Sequence, residues 1–279
     1  MTDVAQAFVP GHITGFFTVD SAPDPTKAGS RGGGLALTDG VTVTVRSAAE
    51  LGVSLNGDPV EMGAVDRVLD ALDVSAQVRG VTDLPLGAGF GVSGAMALGT
   101  ALAANAAFDR RLSERELTTI AHGAEVQAGT GLGDVVAQER GGVPLRLEPG
   151  GPQDNELDGI PARSRVEYHA IDELATDDVI GGSTDALTDA GTRALSMVVS
   201  EPTLARFMQA SRQFSREADL ITPAVREVVL DVSEAGGTAA MAMLGETVFA
   251  LGTGLTDAGY DPQVCAIHPG GATVEEPVE

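Results

Sequence analysis

The residues of this chain that are best suited to chemistry are four glycines in one short segment. They are Gly87, Gly89, Gly91 and Gly94 of the segment PLGAGFGVSGA. Glycine lacks a Cβ atom, so this backbone can adopt positive φ angles and turn successive N–H groups toward an anion. An apolar, alanine-rich stretch predicts a helix at 93–108, whose unpaired first N–H groups and dipole point to the same place. We interpret the segment as a phosphate-binding loop suited to a nucleoside triphosphate; the alternative is a glycine-rich turn before a core helix.

Three other motifs compete for the same segment, and each lacks its required context. A G-x-G-x-x-G dinucleotide fingerprint needs a strand after the helix that ends in an acidic residue, whereas residues 109–116 lead into another helix. A G-x-S-x-G nucleophile elbow needs a strand directly before the serine, but glycines precede Ser93. The Gly-Lys-Ser/Thr end of a Walker A box is missing.

Arg31 is a second candidate for anion binding. It lies within the segment GSRGGG at 29–34, where neighbours without side chains leave its guanidinium group accessible. A solvated loop arginine is an equally simple interpretation. The four histidines show no i, i+4 spacing and pair with no cysteine, so a zinc site is not predicted.

Composition limits the class of protein and its surroundings. With 279 residues, 43% of them hydrophobic, the chain can bury the core of one large domain or two closely packed ones. Its formal charge is −23, from 40 acidic and 17 basic residues, and Lys27 is the single lysine. Such a surface repels nucleic acid and anionic membranes, and it indicates a salt-rich cytoplasm that screens self-repulsion, as in a halophile. One cysteine, Cys265, excludes an intramolecular disulfide, and without an apolar run or signal pattern we expect a soluble cytoplasmic protein.

Local patterns predict the elements around the glycine loop. Residues 5–19 are β-like but broken by Pro10-Gly11, which predicts two strands flanking a bend. Residues 35–37 and 41–45 predict a hairpin with an Asp-Gly turn. A helix at 60–72 and a strand at 75–81 precede the loop, and a second helix begins at Ser113 with Glu116 three residues later, as in a capping box. It ends at a glycine-rich turn, 129–138, that presents an acid.

The second half of the chain begins with an aperiodic stretch at 149–165 that we interpret as an interdomain connection. A strand is predicted at 166–171, followed by helices at 185–199, 203–218 and 223–234. A hairpin over 239–251 turns at 245–246, and a strand at 264–268 precedes an acidic tail, 275–279, expected to fray.

The order of these glycine-rich stretches resembles the GHMP kinase superfamily, named for its galactose, homoserine, mevalonate and phosphomevalonate members. Its three motifs correspond to VPGHI at 9–13, to the ATP loop at 85–95 and to the Gly-Gly stretch from 236. The wording FVPGHITGFF at 8–17, with GSRG at 29–32, is most similar to archaeal members that phosphorylate pantoate on a route to coenzyme A.

This resemblance implies a two-lobed α/β fold with ATP between the lobes. The N-terminal, ribosomal-protein-S5-like lobe would span 1–150, and the C-terminal, ferredoxin-like lobe would span 151–279. The implied ATP-loop residues are Pro85, Gly87, Gly89, Gly91, Val92, Ser93, Gly94 and Ala95. The partners would be small molecules, with a homodimer as a possible assembly and with no nucleic acid or membrane bound.

The resemblance also assigns roles to individual side chains. Ser93 and Glu125 would hold Mg²⁺, and Asp134 would act on the acceptor hydroxyl. Ser30 and Arg31 would bind the acceptor beside Asp134, with Arg31 gripping its carboxylate. His12 stands where several relatives carry Lys or Arg, so it either stabilises charge on the transferred phosphoryl or shapes the strand bend.

Alternatives accompany these roles. Glu125 could be an exposed helix carboxylate and Asp134 a helix N-cap, while Val92 replaces the first of two serines found in many relatives. The acceptor could instead be mevalonate, homoserine or shikimate, or the chain could be an ATP-binding regulator without turnover.

Overall fold

The computed structural model describes residues 4–172, 184–243 and 245–275 and contains two sheets. The larger sheet has the strand order β12-β1-β2-β5-β3-β4, with β6 paired to β2 and β7 to β6, and it is antiparallel except between β3 and β5. Its strands are β1 (Val4–Phe17), β2 (Gly32–Ser47), β3 (Gly52–Leu55), β4 (Asp58–Pro59), β5 (Ala76–Val81), β6 (Pro144–Glu148), β7 (Glu156–Gly159) and β12 (Thr273–Glu275). The helices beside it are α1 (Gly63–Leu72), α2 (Val92–Ala107), α3 (Glu114–Ala128) and α4 (Asp134–Arg140).

The smaller sheet has four antiparallel strands in the order β11-β8-β10-β9. These are β8 (Arg165–Asp172), β9 (Ala239–Ala242), β10 (Glu246–Leu251) and β11 (Gln263–Ala266). Its helices are α5 (Asp185–Ser200), α6 (Leu204–Glu217), α7 (Pro223–Glu234) and α8 (Gly254–Asp257). The predicted mixed α/β class is confirmed. Within the described part of the chain, every helix is too short or too polar to cross a membrane.

The prediction of two strands flanking a bend at Pro10-Gly11 is wrong, because β1 is one strand. Proline has no N–H to donate, and the ladder with β2 absorbs this by register shifts between Pro10 and His12 and between Thr14 and Phe16. From Val9 onward the strand is buried, since α2 covers part of it and α6 packs on it through the Phe16–Phe207 ring contact. This burial explains the unbroken apolar run.

The predicted Asp-Gly hairpin is also wrong, because 35–37 and 41–45 belong to the single strand β2. Opposite the single residue Gly11, β2 has the three residues 37–39, two more than regular pairing needs, so the chain bulges instead of reversing. The bulge reaches the smaller sheet, where Leu37 bridges Ile267 and the Tyr168 hydroxyl donates to Asp39 Oδ2 at 3.1 Å. Long-range pairing therefore overrides the local turn signal.

Two further expectations fail in the second half of the chain. The stretch 149–165 is not a plain connection, since β7 lies within it and pairs with β6. Glu275 is not frayed, because β12 pairs with β1 at the edge of the larger sheet, and residues 276–279 lie outside the described residues. The division at 150/151 stays a prediction, with strands from beyond it present in both sheets.

Helix α2 is the element that carries the glycine loop, and it lies in the middle of the core. Almost all of its residues are buried, because it packs on β1 and β2 on one side and on α1 and α3 on the other. A helix that is apolar on all sides is typical of such a central position. The predicted capping box of α3 is present: Ser113 Oγ accepts from the Glu116 N–H at 3.3 Å, and Glu116 Oε2 accepts from the Ser113 N–H at 2.8 Å.

Candidate active site

The glycine loop forms one wall of a cleft of about 130 Å³. Gly87, Gly89 and Gly91 have φ angles of 69°, 86° and 63°, in the left-handed region that favours glycine. Gly91 is also the N-cap of α2, where no side chain caps the helix and no acidic residue lies in the first turn. The first N–H groups of α2 are therefore available to an anion at the positive end of the helix.

Contacts from distant parts of the chain fix the loop. The His12 N–H donates to Phe90 O at 3.0 Å, and Gln138 Nε2 donates to Gly91 O at 2.9 Å. From the smaller sheet, Thr247 Oγ1 donates to Ala88 O at 2.9 Å. The Phe90 ring packs on Tyr168 of the same sheet, with 4.7 Å between centroids. The loop is thus held in place by strands from both sheets.

A group of oxygen donors lies at the start of α2. Ser93 Oγ is 3.2 Å from both Glu125 Oε2 and Thr130 Oγ1. Glu125 is 2% exposed, so it is not the exposed carboxylate that the sequence left open. Burial, together with the negative charge of Asp134, raises the pKa of Glu125 to about 7. A buried carboxyl of this kind is stabilised in its ionised form by a cation.

Asp134 faces the same cleft from the start of α4. It is the first residue of that helix, with Gly133 as N-cap, so Asp134 is not the N-cap. Its Oδ1 is 2.7 Å from His12 Nδ1, and 18% of its side chain is exposed, enough to reach a ligand. Although burial opposes it, the hydrogen bond from His12 and the charge of Arg146 lower the pKa of Asp134. Asp134 is therefore ionised, and His12 donates to it from Nδ1.

His12 lies behind Asp134 rather than in the cleft. The ring is fully buried, and burial lowers the pKa of His12 despite the raising effect of Asp134. Its Nε2 has no hydrogen-bond partner and faces the backbone of β2, where a Cβ on Gly34 would lie 2.1 Å from it. A neutral His12 can therefore orient Asp134 but does not line the cleft.

A second, smaller pocket adjoins the cleft and shares Thr14 and Asp134 with it. Its other lining residues include Ser30 and Arg146. Arg146 is 2% exposed, donates from Nε to Ser30 O at 3.2 Å and leaves Nη1 without a partner. Burial lowers the pKa of Arg146, but an arginine remains charged in proteins. A buried guanidinium with an unpaired N–H group is suited to binding an anionic ligand.

Glycines make room for this arginine. A Cβ on Gly133 would lie 2.7 Å from Arg146 Nε and 2.6 Å from Ser30 Oγ, and a Cβ on Gly32 would lie 3.1 Å from Arg146 Nη2. Gly32 and Arg146 are paired neighbours in the β2–β6 ladder. Gly32 and Gly133 therefore leave space for the arginine of β6.

Arg31 itself lies elsewhere. Its guanidinium contacts both carboxylate oxygens of Asp20 at 3.4 Å, and Arg31 lines neither pocket. The structure thus brings together the glycine loop with Ser93, Glu125, Asp134, His12 and Ser30, but not Arg31.

Sequence reasoning missed Arg146, Thr14, Thr130 and Gln138. Arg146 left one signal, since it is a charged residue within the otherwise apolar strand segment VPLRL. The other three are ordinary polar residues, and only the fold places them against the loop.

Comparisons with known proteins give consistent results. Residues 61–142 match the model of the GHMP kinases N terminal domain. The chain is 34% identical over 255 residues to a pantoate kinase of Methanospirillum hungatei, covering 88% of this chain and 86% of the relative. It is 32% identical over 262 residues to a pantoate kinase of Thermococcus kodakarensis, covering 88% and 87%. A solved structure described as a phosphotransferase related to the CoA biosynthesis pathway superposes with a TM-score of 0.87 at 29% identity, covering 99% of this chain and all of that one.

Proposed function

Because the chain belongs to the pantoate kinase family of the GHMP kinases, we propose that it transfers the γ-phosphoryl group of ATP to the primary hydroxyl of pantoate. The product would be 4-phosphopantoate, on a route to coenzyme A. The observation that supports this most directly is the pair of adjoining pockets that share Asp134. One has backbone N–H groups for phosphates and the other has a buried arginine for a carboxylate.

The glycine loop would cradle the phosphates of ATP. Phosphoryl transfer needs positioned groups and charge stabilisation more than covalent help from the protein. Backbone N–H groups at Gly87, Gly89 and Gly91 and at the start of α2 supply both without any reorganisation, because contacts from two sheets hold the loop. Val92, Gly94 and Ala95 continue the site into the helix.

The donor set around Ser93 fits Mg²⁺. A hydroxyl and a carboxylate are the hard oxygen ligands that this cation prefers, and the buried Glu125 carboxyl lacks a compensating positive charge of its own. Ser93 and Glu125 would hold the ion, with the Thr130 hydroxyl beside them. When bound, Mg²⁺ neutralises charge on the phosphate oxygens.

Asp134 would position the acceptor hydroxyl and accept its proton. With its pKa lowered, the carboxylate is ionised and ready to accept a hydrogen bond, and it takes up the proton as the new O–P bond forms. His12 would be a positioning residue, since its Nδ1–H fixes the Asp134 carboxylate from behind and its ring reaches neither pocket.

Arg146 would bind the carboxylate of pantoate, with Ser30 beside it. A guanidinium presents two parallel N–H groups to a carboxylate, and Arg146, whose Nη1 has no partner, lines the second pocket. This position places the acceptor next to Asp134. The earlier assignment of the carboxylate to Arg31 stays a prediction, and its ion pair with Asp20 competes with that role.

An acceptor screen tests the proposed function. Purified protein with ATP and Mg²⁺ is offered pantoate, mevalonate, homoserine and shikimate in parallel, and ADP formation is followed. We expect the highest kcat/KM for pantoate and a phosphomonoester on its primary hydroxyl by ³¹P NMR. A faster reaction with another acceptor, or no transfer to pantoate, would overturn the assignment.

We also propose that the protein works in a salt-rich cytoplasm. A formal charge of −23 causes self-repulsion, and the Debye length falls to about 3 Å at 1 M salt. The thermal midpoint should therefore rise between 0.1 M and molar KCl. An unchanged midpoint would refute this adaptation.

A further inference from the structure

A second candidate binding site lies in the smaller sheet's half of the molecule. It is a pocket of about 210 Å³ between α6, α7 and β9. It shares no lining residue with the cleft or with the smaller pocket lined by Ser30, Asp134 and Arg146, which we call the acceptor pocket. We call it the cationic pocket. It is lined by Arg212, Ser215, Arg216, Ile221, Arg226, Val229, Leu230, Ala240 and Met241.

Three of the chain's 17 basic residues meet at this pocket, in a protein with a formal charge of −23. Arg212 and Arg216 are one turn apart on α6, and Arg226 faces them from α7. Like charges four residues apart on a helix repel each other. Such clustering costs stability unless an anion compensates it.

Carboxylates do not supply that anion. Among the residues that the structure describes, Arg193 and Arg206 pair with Glu217 and Glu201, whereas none of the three pocket arginines forms an ion pair. Arg212 Nε is buried and has no hydrogen-bond partner at all. Other arginines of the described chain also lack an ion pair, but here three of them line a single cavity.

Apart from the three arginines and Ser215, the residues that line the pocket are apolar. Ala240 and Met241 form a buried floor from β9, and Val229 and Leu230 form a wall from α7. Leu230 is 54% exposed, so the wall reaches the mouth of the pocket. A ligand here would meet guanidinium groups together with an aliphatic surface.

We propose that the cationic pocket binds a small organic anion that joins a carboxylate, phosphate or sulfonate group to an apolar body. The anionic group would pair with Arg212 and Arg226, and the body would lie on Met241 and Leu230. An inorganic anion would make the contacts with the arginines but not those with Met241 and Leu230. A neutral apolar molecule would make only the apolar contacts.

A fluorescence titration with 8-anilinonaphthalene-1-sulfonate tests the proposal. The probe is added to the full chain, at fixed salt, with the cleft filled by Mg²⁺ and a non-hydrolysable ATP analogue. We expect saturable binding of one probe, weakened at least tenfold in the double variant Arg212→Gln/Arg226→Gln. Arg193→Gln/Arg206→Gln is the matched control, since it also removes two positive charges, from α5 and α6, outside the pocket.

Two more measurements keep the result decisive. The neutral analogue N-phenyl-1-naphthylamine should bind at least tenfold more weakly than the sulfonate, and Leu230→Glu, at an exposed position, should weaken the sulfonate even if the double variant does not fold. Kinase activity of the arginine variant should be unchanged, because the pocket is separate from the cleft. No saturable binding, equal binding of the neutral probe, or an equal loss in Arg193→Gln/Arg206→Gln would overturn the proposal.

Discussion

The phosphate cleft and the acceptor pocket share Asp134 and Thr14, yet they are built from different parts of the chain. The cleft depends on one contiguous segment, 85–95, whose glycine backbone and helix start create the site. The acceptor pocket depends on side chains from four distant positions: Thr14, Ser30, Asp134 and Arg146. A phosphate site made of backbone groups can therefore be found in one short segment of sequence. A site made of side chains from distant positions becomes visible only in the folded structure.

The shared residue gives the largest expected effect. Asp134→Asn keeps the size of the side chain but cannot accept the proton, so kcat should fall by roughly 10²–10⁴-fold, while ATP binding changes little. Steady-state kinetics and a nucleotide-binding titration measure the two. Asp20→Asn, outside both pockets, should leave kcat nearly unchanged. If Asp134→Asn had wild-type turnover, Asp134 would have no part in the chemistry.

The acceptor pocket is tested by paired arginine substitutions. Arg146→Lys retains a charge but loses the two-pronged contact, so the KM for pantoate should rise at least tenfold, about 1.4 kcal/mol, with little change in the KM for ATP. Arg31→Lys should change both constants little, because Arg31 pairs with Asp20. If Arg31→Lys raised the KM for pantoate and Arg146→Lys did not, Arg31 would be the residue that binds the carboxylate.

The cleft should respond to backbone changes instead. Gly89 has a φ of 86°, so Gly89→Ala strains the loop and should raise the KM for ATP about tenfold, with the KM for pantoate nearly constant. Gly129→Ala is the control, since Gly129 has a similar φ of 73° in open space and lies outside the cleft. Equal effects of the two variants on the KM for ATP would mean that general destabilisation, not the loop, is measured.

The smallest expected effect is the change in the free energy of unfolding at acidic pH. Burial lowers the pKa of both His12 and His122, two histidines close to Arg146. Below about pH 6.5 the unfolded chain takes up protons that the folded chain resists, so the free energy of unfolding should decrease as the pH falls. Each histidine contributes at most about 1.4 kcal/mol per pH unit.

A matched variant is needed to isolate the contribution of a histidine to the pH dependence of the free energy of unfolding. Glu125, whose pKa is raised to about 7, changes that free energy in the opposite direction as the pH falls. In the wild type, His122 Nε2 donates to Ala28 O at 2.8 Å, and His122→Gln keeps a donor for this oxygen. Glu125 is present in both proteins, so its contribution cancels when the two are compared. Urea titrations between pH 7.5 and 5.5 should show a flatter pH dependence for this variant. A steeper or identical dependence would contradict the buried neutral histidine.

The sequence predicted the fold class and most helices, because α2 is an unbroken apolar, alanine-rich stretch and α3, α6 and α7 begin at their own Ser or Thr caps. It failed for β1 and β2, where Pro10-Gly11 and Asp39-Gly40 are local turn signals. Pairing between the two strands keeps each of them continuous across these positions. Ser93, Glu125 and Asp134 were predicted through the resemblance, and the structure places them around one cleft. Arg146 was not predicted, because its place beside Gly32 depends on the pairing of β2 with β6, more than 100 residues apart.

The pairing of β12 with β1 has a consequence for synthesis. Gln6 and Glu275 are partners separated by 269 positions. At about 5–20 residues per second, the ribosome would need roughly 13–54 s to deliver the partner strand after β1 has emerged. During that time the outer edge of β1 offers unpaired backbone groups to other chains and to chaperones. Among the described strands, β1 is synthesised first, and the delay before its pairing with β12 is the longest between any two paired strands.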